Sequence, residues 1–114
     1  MRTLTMEQID LQKLCEECGV FYKKHEHNEE LGYYGGLVIL KYDPNNIVPE
    51  YRDYIFVMSD ADWNGSQIYY GKAKKVYNDE YNIDFIKRTL TNTIIKYKQI
   101  KQEQKEKKLQ KDFE

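Results

Sequence analysis

Residues 54–77 read YIFVMSDADWNGSQIYYGKAKKVY. Two runs rich in β-branched and aromatic residues flank the pair Asn64-Gly65, and Asn-Gly between such runs is the strongest short-range signal for a hairpin. The same stretch also places Asp60, Asp62, Asn64 and Gly65 at the spacing of the first half of a calcium-binding loop. A complete loop needs a bidentate carboxylate at its twelfth position, which here is Gly71. The flanks YIFVM and QIYYG read as strands rather than helices, and Asp side chains accept backbone N–H bonds in tight turns. The stretch is therefore expected to form a hairpin, with one strand over Tyr54 to Ser59, a turn at DWNG and a second strand over Gln67 to Tyr77.

Working outward, Val20 to His27 is expected as a first strand, Asn28 to Gly32 as a polar turn and Tyr33 to Tyr42 as a second strand closed by DPNN. Gly35 and Gly36 then mark a bulge or a close backbone approach inside that strand. No connection is long enough for a parallel crossover, so an antiparallel meander is predicted. In the second strand Leu37 and Ile39 fall opposite Tyr34, Val38, Leu40 and Tyr42. In the third, Ile55 and Val57 fall opposite Tyr54, Phe56 and Met58. Both faces of the sheet are therefore apolar, and the second must be covered by a helix, a second copy or a partner.

Helices flank the sheet. Thr5 with Gln8 has the form of a capping box and Gly19 supplies a left-handed stop, which predicts a helix from Met6 to Cys18 with Leu11, Leu14, Cys15 and Cys18 on one face. After Tyr77 the period becomes helical, with Asn82 as N-cap and Ile83, Ile86, Leu90, Ile94 and Tyr97 as an apolar seam. That seam ends at Ile100. The fold class is thus α+β: an N-terminal helix, an antiparallel meander of three to four strands and a long C-terminal helix. Residues 1–100 form one domain, and 101–114 form a Lys-rich helical extension or frayed tail.

The 114 residues suffice for one modest core, filled by eleven Tyr, four Phe and one Trp. No apolar run has the length of a membrane span, and the N-terminus lacks a signal-peptide core, so no membrane association and a cytoplasmic location are expected. The net charge of −1 divides unevenly, with residues 85–114 at +5 and residues 1–84 at −6. Abundant Lys, Asn, Ile and Tyr have the style of an AT-rich bacterial or phage genome.

Several constellations carry residue types capable of chemistry. Cys15, Cys18, His25 and His27 are zinc-type ligands, but a strand over Val20 to Lys24 would carry His25 about 20 Å from Cys18. The CEEC pair sits at the C-terminal end of its helix beside Glu16 and Glu17, where a reactive thiolate is disfavoured. His25 and His27 would share a strand face with Glu29, the geometry of a metal triad or an acid–base pair. The bland alternative is a polar edge strand that resists aggregation. No phosphate-binding loop or nucleophile elbow is present, and no cofactor is expected.

These observations lead to a small non-enzymatic protein-binding module, of the inhibitor or regulator kind found among phage or mobile-element accessory proteins. Tyr adds large contact area at low entropic cost, so the expected partner surface comprises Tyr33, Tyr34, Tyr51, Tyr54, Trp63, Tyr69 and Tyr70, with Asp60 and Asp62 as an acidic rim. A two-fold homodimer is an additional expectation. One alternative is weak nucleic-acid association through Lys96, Lys98, Lys101, Lys105, Lys107, Lys108 and Lys111. The other is a metal-dependent enzyme at His25 and His27.

Overall fold

The structure, a computed structural model, describes residues 8–112, with the side chains of Lys111 and Asp112 outside the description. A short helix α1 (Leu11–Glu17) precedes five strands: β1 (Phe21–Lys24), β2 (Glu30–Tyr34), β3 (Leu37–Tyr42), β4 (Tyr54–Trp63) and β5 (Ile68–Tyr77). Helix α2 (Ile83–Asp112) closes the chain. The strands pair antiparallel in sequence order, a meander of five strands rather than three to four. No helix among the described residues is long and apolar enough to cross a membrane.

The extra strand comes from Tyr33–Tyr42, which is two strands. Gly35 (φ +65°) and Gly36 (φ +77°) turn the chain between β2 and β3. Two consecutive left-handed residues are what a tight hairpin with the right strand twist requires, and glycine takes that conformation without strain. The close approach expected here is also present, since a Cβ on Gly35 would run into the ring of Tyr97. β1 is shorter than Val20–His27: it stops at Lys24, and Glu26–Asn28 form a 3-10 turn with His27 and Asn28 at positive φ. Gly32, assigned to a turn from the sequence, lies inside β2.

Helix α1 begins at Leu11, with residues 8–10 outside it; Met6, the expected start, lies outside the described residues. Asp10 caps it by accepting from the Lys13 backbone N–H at 3.1 Å. The backbone N–H of Ile9 is held instead by the side chain of the buried Asn78 at 2.9 Å, a contact across 69 residues that local propensity cannot foresee. Thr5, the expected cap, lies outside the described residues. At α2, Asp79 rather than Asn82 accepts the capping bond, from Tyr81, and a 3-10 turn over Glu80–Asn82 leads into the helix. Asn82 instead donates to the Tyr77 carbonyl.

The core lies between the helices and one face of the sheet. Leu11, Leu14 and Cys15 of α1, and Ile86, Leu90 and Ile94 of α2, join Leu40, Tyr42, Ile55, Val57 and Val76 in one buried cluster. The predicted seam of α2 is the buried one, and Thr93 ties that helix to the sheet by donating to the Met58 carbonyl at 2.7 Å. Helix α2 then runs without interruption past the body. Residues 101–110 carry almost wholly exposed side chains, and the molecule is 67 Å long against 27 and 20 Å.

Strict alternation in β3 breaks at a bulge. Gly32 pairs with Leu40 and Tyr33 with Val38, so Ile39 is an extra residue facing no partner. The insertion lets consecutive residues share a face, and Ile39 (0% exposed) and Leu40 (1%) are both buried. Leu40 and Tyr42 therefore belong with Ile55 and Val57 on the helix-covered face, not opposite Ile39.

Candidate functional site

Both helices pack on the same face. Gly32 shows it locally: a Cβ there would meet Val20 Cγ1 at 2.9 Å, Cys15 Sγ at 3.2 Å and Leu40 Cβ at 3.3 Å, so its missing side chain is the space into which α1 settles. The opposite face carries no α-helix among the described residues; the 3-10 turn Pro49–Tyr51 reaches it, with Tyr51 packed on Phe56. Strand register defines what that face presents. One row crosses all five strands as Lys23, Leu31, Lys41, Phe56 and Lys75. A second runs through Phe21, Tyr33 and Val38. The corresponding row beneath the helices is Tyr22, Gly32, Leu40, Val57 and Lys74.

Phe21 is 67% exposed, with its ring 6.3 Å from that of Tyr33. Tyr51, from the 3-10 turn Pro49–Tyr51, meets Phe56 edge-on at 5.5 Å, and Tyr54 meets Tyr77 in the same way at 5.5 Å. The Lys75 ammonium stands 4.7 Å from the Tyr54 ring centre and 5.5 Å from that of Tyr51, held by two cation–π contacts. Between Tyr51 and Val38 lies a shallow groove of about 330 Å³ floored by Phe56 and Met58. A second, more open basin borders Phe21, Tyr33 and the Gly35–Gly36 turn.

The expected partner residues separate into three places. Tyr33, Tyr51 and Tyr54 belong to the helix-free face. Tyr34 and Tyr70 lie on the other side: Tyr34 packs edge-on against Tyr97 at 5.2 Å, and the Tyr70 hydroxyl donates to the Tyr34 carbonyl at 2.8 Å. Burial raises the Tyr70 hydroxyl pKa above the ordinary phenol range, keeping it a donor. Asp62, Trp63 and Tyr69 sit on the outer β4–β5 arm, where Asp62 pairs with Tyr69. Asp60 is ion-paired with Lys96, whose ammonium holds its carboxyl below the usual range. Sequence reading missed Phe21, Leu31, Lys23, Lys41 and Lys75 as neighbours, because row membership depends on register across four hairpins.

The Asp60–Gly65 segment forms the β4–β5 hairpin rather than a calcium loop, with the turn shifted by two residues from DWNG, since Asp62 and Trp63 remain in β4. Asn64 Oδ1 accepts from the backbone N–H groups of Ser66 and Gln67, both at 2.9 Å, and so closes the turn with its own side chain. Asn64→Ala should cost about 1 kcal/mol, and Asp62→Ala much less. Neither variant nor wild type should gain melting temperature with added calcium. A calcium-dependent rise lost in Asp62→Ala would overturn this assignment.

Among the described residues no group of three or more His, Cys, Asp or Glu is placed to hold a metal ion. His25 and His27 do not share a strand face with Glu29, because the strand ends before them. His25 Nε2 lies 3.3 Å from the Tyr33 hydroxyl, and Glu29 lies 3.7 Å from Lys41. Burial, helped by nearby Cys18 and Glu30, pushes the Cys15 thiol up to about 12, and burial also raises Cys18. Both are therefore thiols at neutral pH, poor nucleophiles and poor metal ligands. Of the basic helix residues, Lys96 is engaged by Asp60, while Lys98, Lys101, Lys105, Lys107 and Lys108 are exposed.

No protein-family model, curated protein or solved structure was found to match the chain.

Proposed function

We propose that the chain is a non-enzymatic protein-binding module and that it recognises its partner with the helix-free face of the sheet. The observation that supports this is the placement of both α-helices on one face, which leaves Phe21, Tyr33 and Tyr51 on the other without a covering α-helix among the described residues. Aromatic side chains left exposed in this way are costly to leave in water and are the usual material of an interface core. Regulation or inhibition of the partner by stoichiometric binding is the proposed mode of action, in the manner of a phage or mobile-element accessory protein.

The test is capture from a nuclease-treated bacterial lysate with a moderately high-salt wash. Wild-type bait should retain one stoichiometric protein, Phe21→Ser/Tyr33→Ser bait should lose it, and bait changed at the exposed Tyr81, Tyr81→Ser, should keep it. Equal retention by all three baits would overturn the choice of face. A second reading rests on the exposed lysines of residues 101–110 and assigns them weak nucleic-acid association. It predicts binding that falls steeply with salt and is removed by Lys105→Glu/Lys108→Glu.

A further inference from the structure

The row Lys23, Leu31, Lys41, Phe56, Lys75 places a lysine on every other strand, with an apolar residue between each pair. Neighbouring strands are about 4.8 Å apart, so successive lysines stand about 10 Å apart along a line across the strands. All three are exposed. Lys75 is steadied by the Tyr51 and Tyr54 rings, and Lys41 has one carboxylate, Glu29, at the long distance of 3.7 Å. The row thus alternates cation and apolar contact with a fixed period.

An α-helix reproduces that period. Residues seven apart on a helix are separated by about 10.5 Å along its axis and drift around it by only ~20°. Residues three or four apart fall midway, on the same side. A helix with carboxylates at i, i+7 and i+14 and apolar residues between them would meet the three lysines with its acids, and Leu31 and the exposed Tyr51 ring that packs on Phe56 with its apolar positions. An extended strand repeats its facing side chains every ~6.7 Å and falls out of step after the first pair. From the spacing and charge of this row, we infer that the binding partner presents an acidic amphipathic helix laid across the strands of the open face. This inference rests on the protein-binding reading above and names the partner's chemistry.

Charge also selects against other occupants. In a two-fold dimer through this face the lysine row of one copy would face that of the other, with Lys41 near the axis, and like charges across an interface are repulsive. The exposed part of α2 is no better suited, because Lys101, Lys105, Lys107 and Lys108 outnumber Glu103 and Glu106. A single-stranded nucleic acid would need free ring faces for successive bases. Here Lys75 stands over the faces of Tyr54 and Tyr51, and Tyr51 and Phe56 are engaged with each other.

The experiment uses the full chain and two synthetic, side-chain-stapled helical peptides of about 18 residues. One has glutamates seven residues apart with leucines midway, and the other has the same composition with the glutamates moved to the opposite helix face. The first should bind at least ~10-fold more tightly. Lys23→Glu, Lys41→Glu and Lys75→Glu together should abolish that preference, and a peptide with lysine in place of each glutamate should bind this variant in preference to wild type. Equal affinity of wild type for the two glutamate peptides, or no binding of either, overturns the inference. So does tighter binding of a short oligothymidylate that the same substitutions abolish. The peptide comparison uses wild type, so the test holds even if the triple variant does not fold. If the peptides fail while Phe21→Ser/Tyr33→Ser bait still loses its captured protein, the helix inference falls and the protein-binding reading stands. Capture indifferent to that double substitution removes the reading itself.

Discussion

Leu90→Ala should destabilise the protein by about 2–5 kcal/mol, the range for truncating a fully buried leucine. Leu90 is 0% exposed, in the middle of the α2 seam, with Ile86 and Ile94 one turn to either side and the sheet residues Ile55 and Val57 in the same cluster. Loss of its side chain removes apolar burial and leaves a cavity among elements that cannot all close in on it. Total stabilities of domains this size are about 5–15 kcal/mol, so the variant should melt far below wild type or fail to fold at growth temperature. Urea denaturation followed by circular dichroism measures it. Ile95→Ala, on the exposed side of the same helix, should change stability by only a few tenths of a kcal/mol. Similar losses for the two would mean that α2 does not bury the face described.

The second large effect is expected at the β2–β3 turn, where two adjacent glycines should respond differently. Both have positive φ, so alanine at either pays for a left-handed conformation, about 1–2 kcal/mol. A Cβ on Gly36 meets nothing within 4 Å, so Gly36→Ala should stop at that cost. A Cβ on Gly35 overlaps the hydroxyl end of Tyr97. That ring cannot swing away cheaply, because Tyr34 lies edge-on to it at 5.2 Å and Tyr70 at 6.1 Å. Gly35→Ala should therefore cost about 1–3 kcal/mol more than Gly36→Ala. In a Tyr97→Ala background that excess should disappear, since the overlap is gone. Thermal melts of the two single variants and the double variants test this, and equal losses for Gly35→Ala and Gly36→Ala would refute the proposed wedge.

The legible parts of the fold were those carried by local periodicity. Leu11, Leu14 and Cys15, and Ile86, Leu90 and Ile94, repeat at helical spacing and are the residues the helices bury. Asn64-Gly65 between two β-like runs is the turn of the β4–β5 hairpin. The errors came where a distant contact overrode a local preference. The start of α1 is set by Asn78 holding Ile9, 69 residues away. The Gly35–Gly36 turn read as a bulge within one long strand because the residues on both sides are equally β-like. The bulge at Ile39 left no local mark. It shows only in the pairing of Tyr33 with Val38 and Gly32 with Leu40.

The candidate site was legible in kind but not in membership. Alternation along the strands predicted that both faces of the sheet carry apolar residues, and the abundance of Tyr suggested aromatic contact surface. Which residues meet was beyond reach, because Tyr33 and Tyr34 are adjacent yet belong to opposite faces, and nothing local says which one the helices cover.

By itself, then, the sequence determined the element types, the hairpin at Asn64-Gly65 and the apolar seams, because each depends on residues within a few positions of one another. Tertiary structure alone decided that both helices share one face, that Tyr34 and Tyr70 lie beneath them, and that Lys23, Lys41 and Lys75 line up across the other. Each of these depends on strand register, including the irregularities at Ile39 and around Asp60, and shifting one strand by a single residue would send every side chain on it to the opposite face.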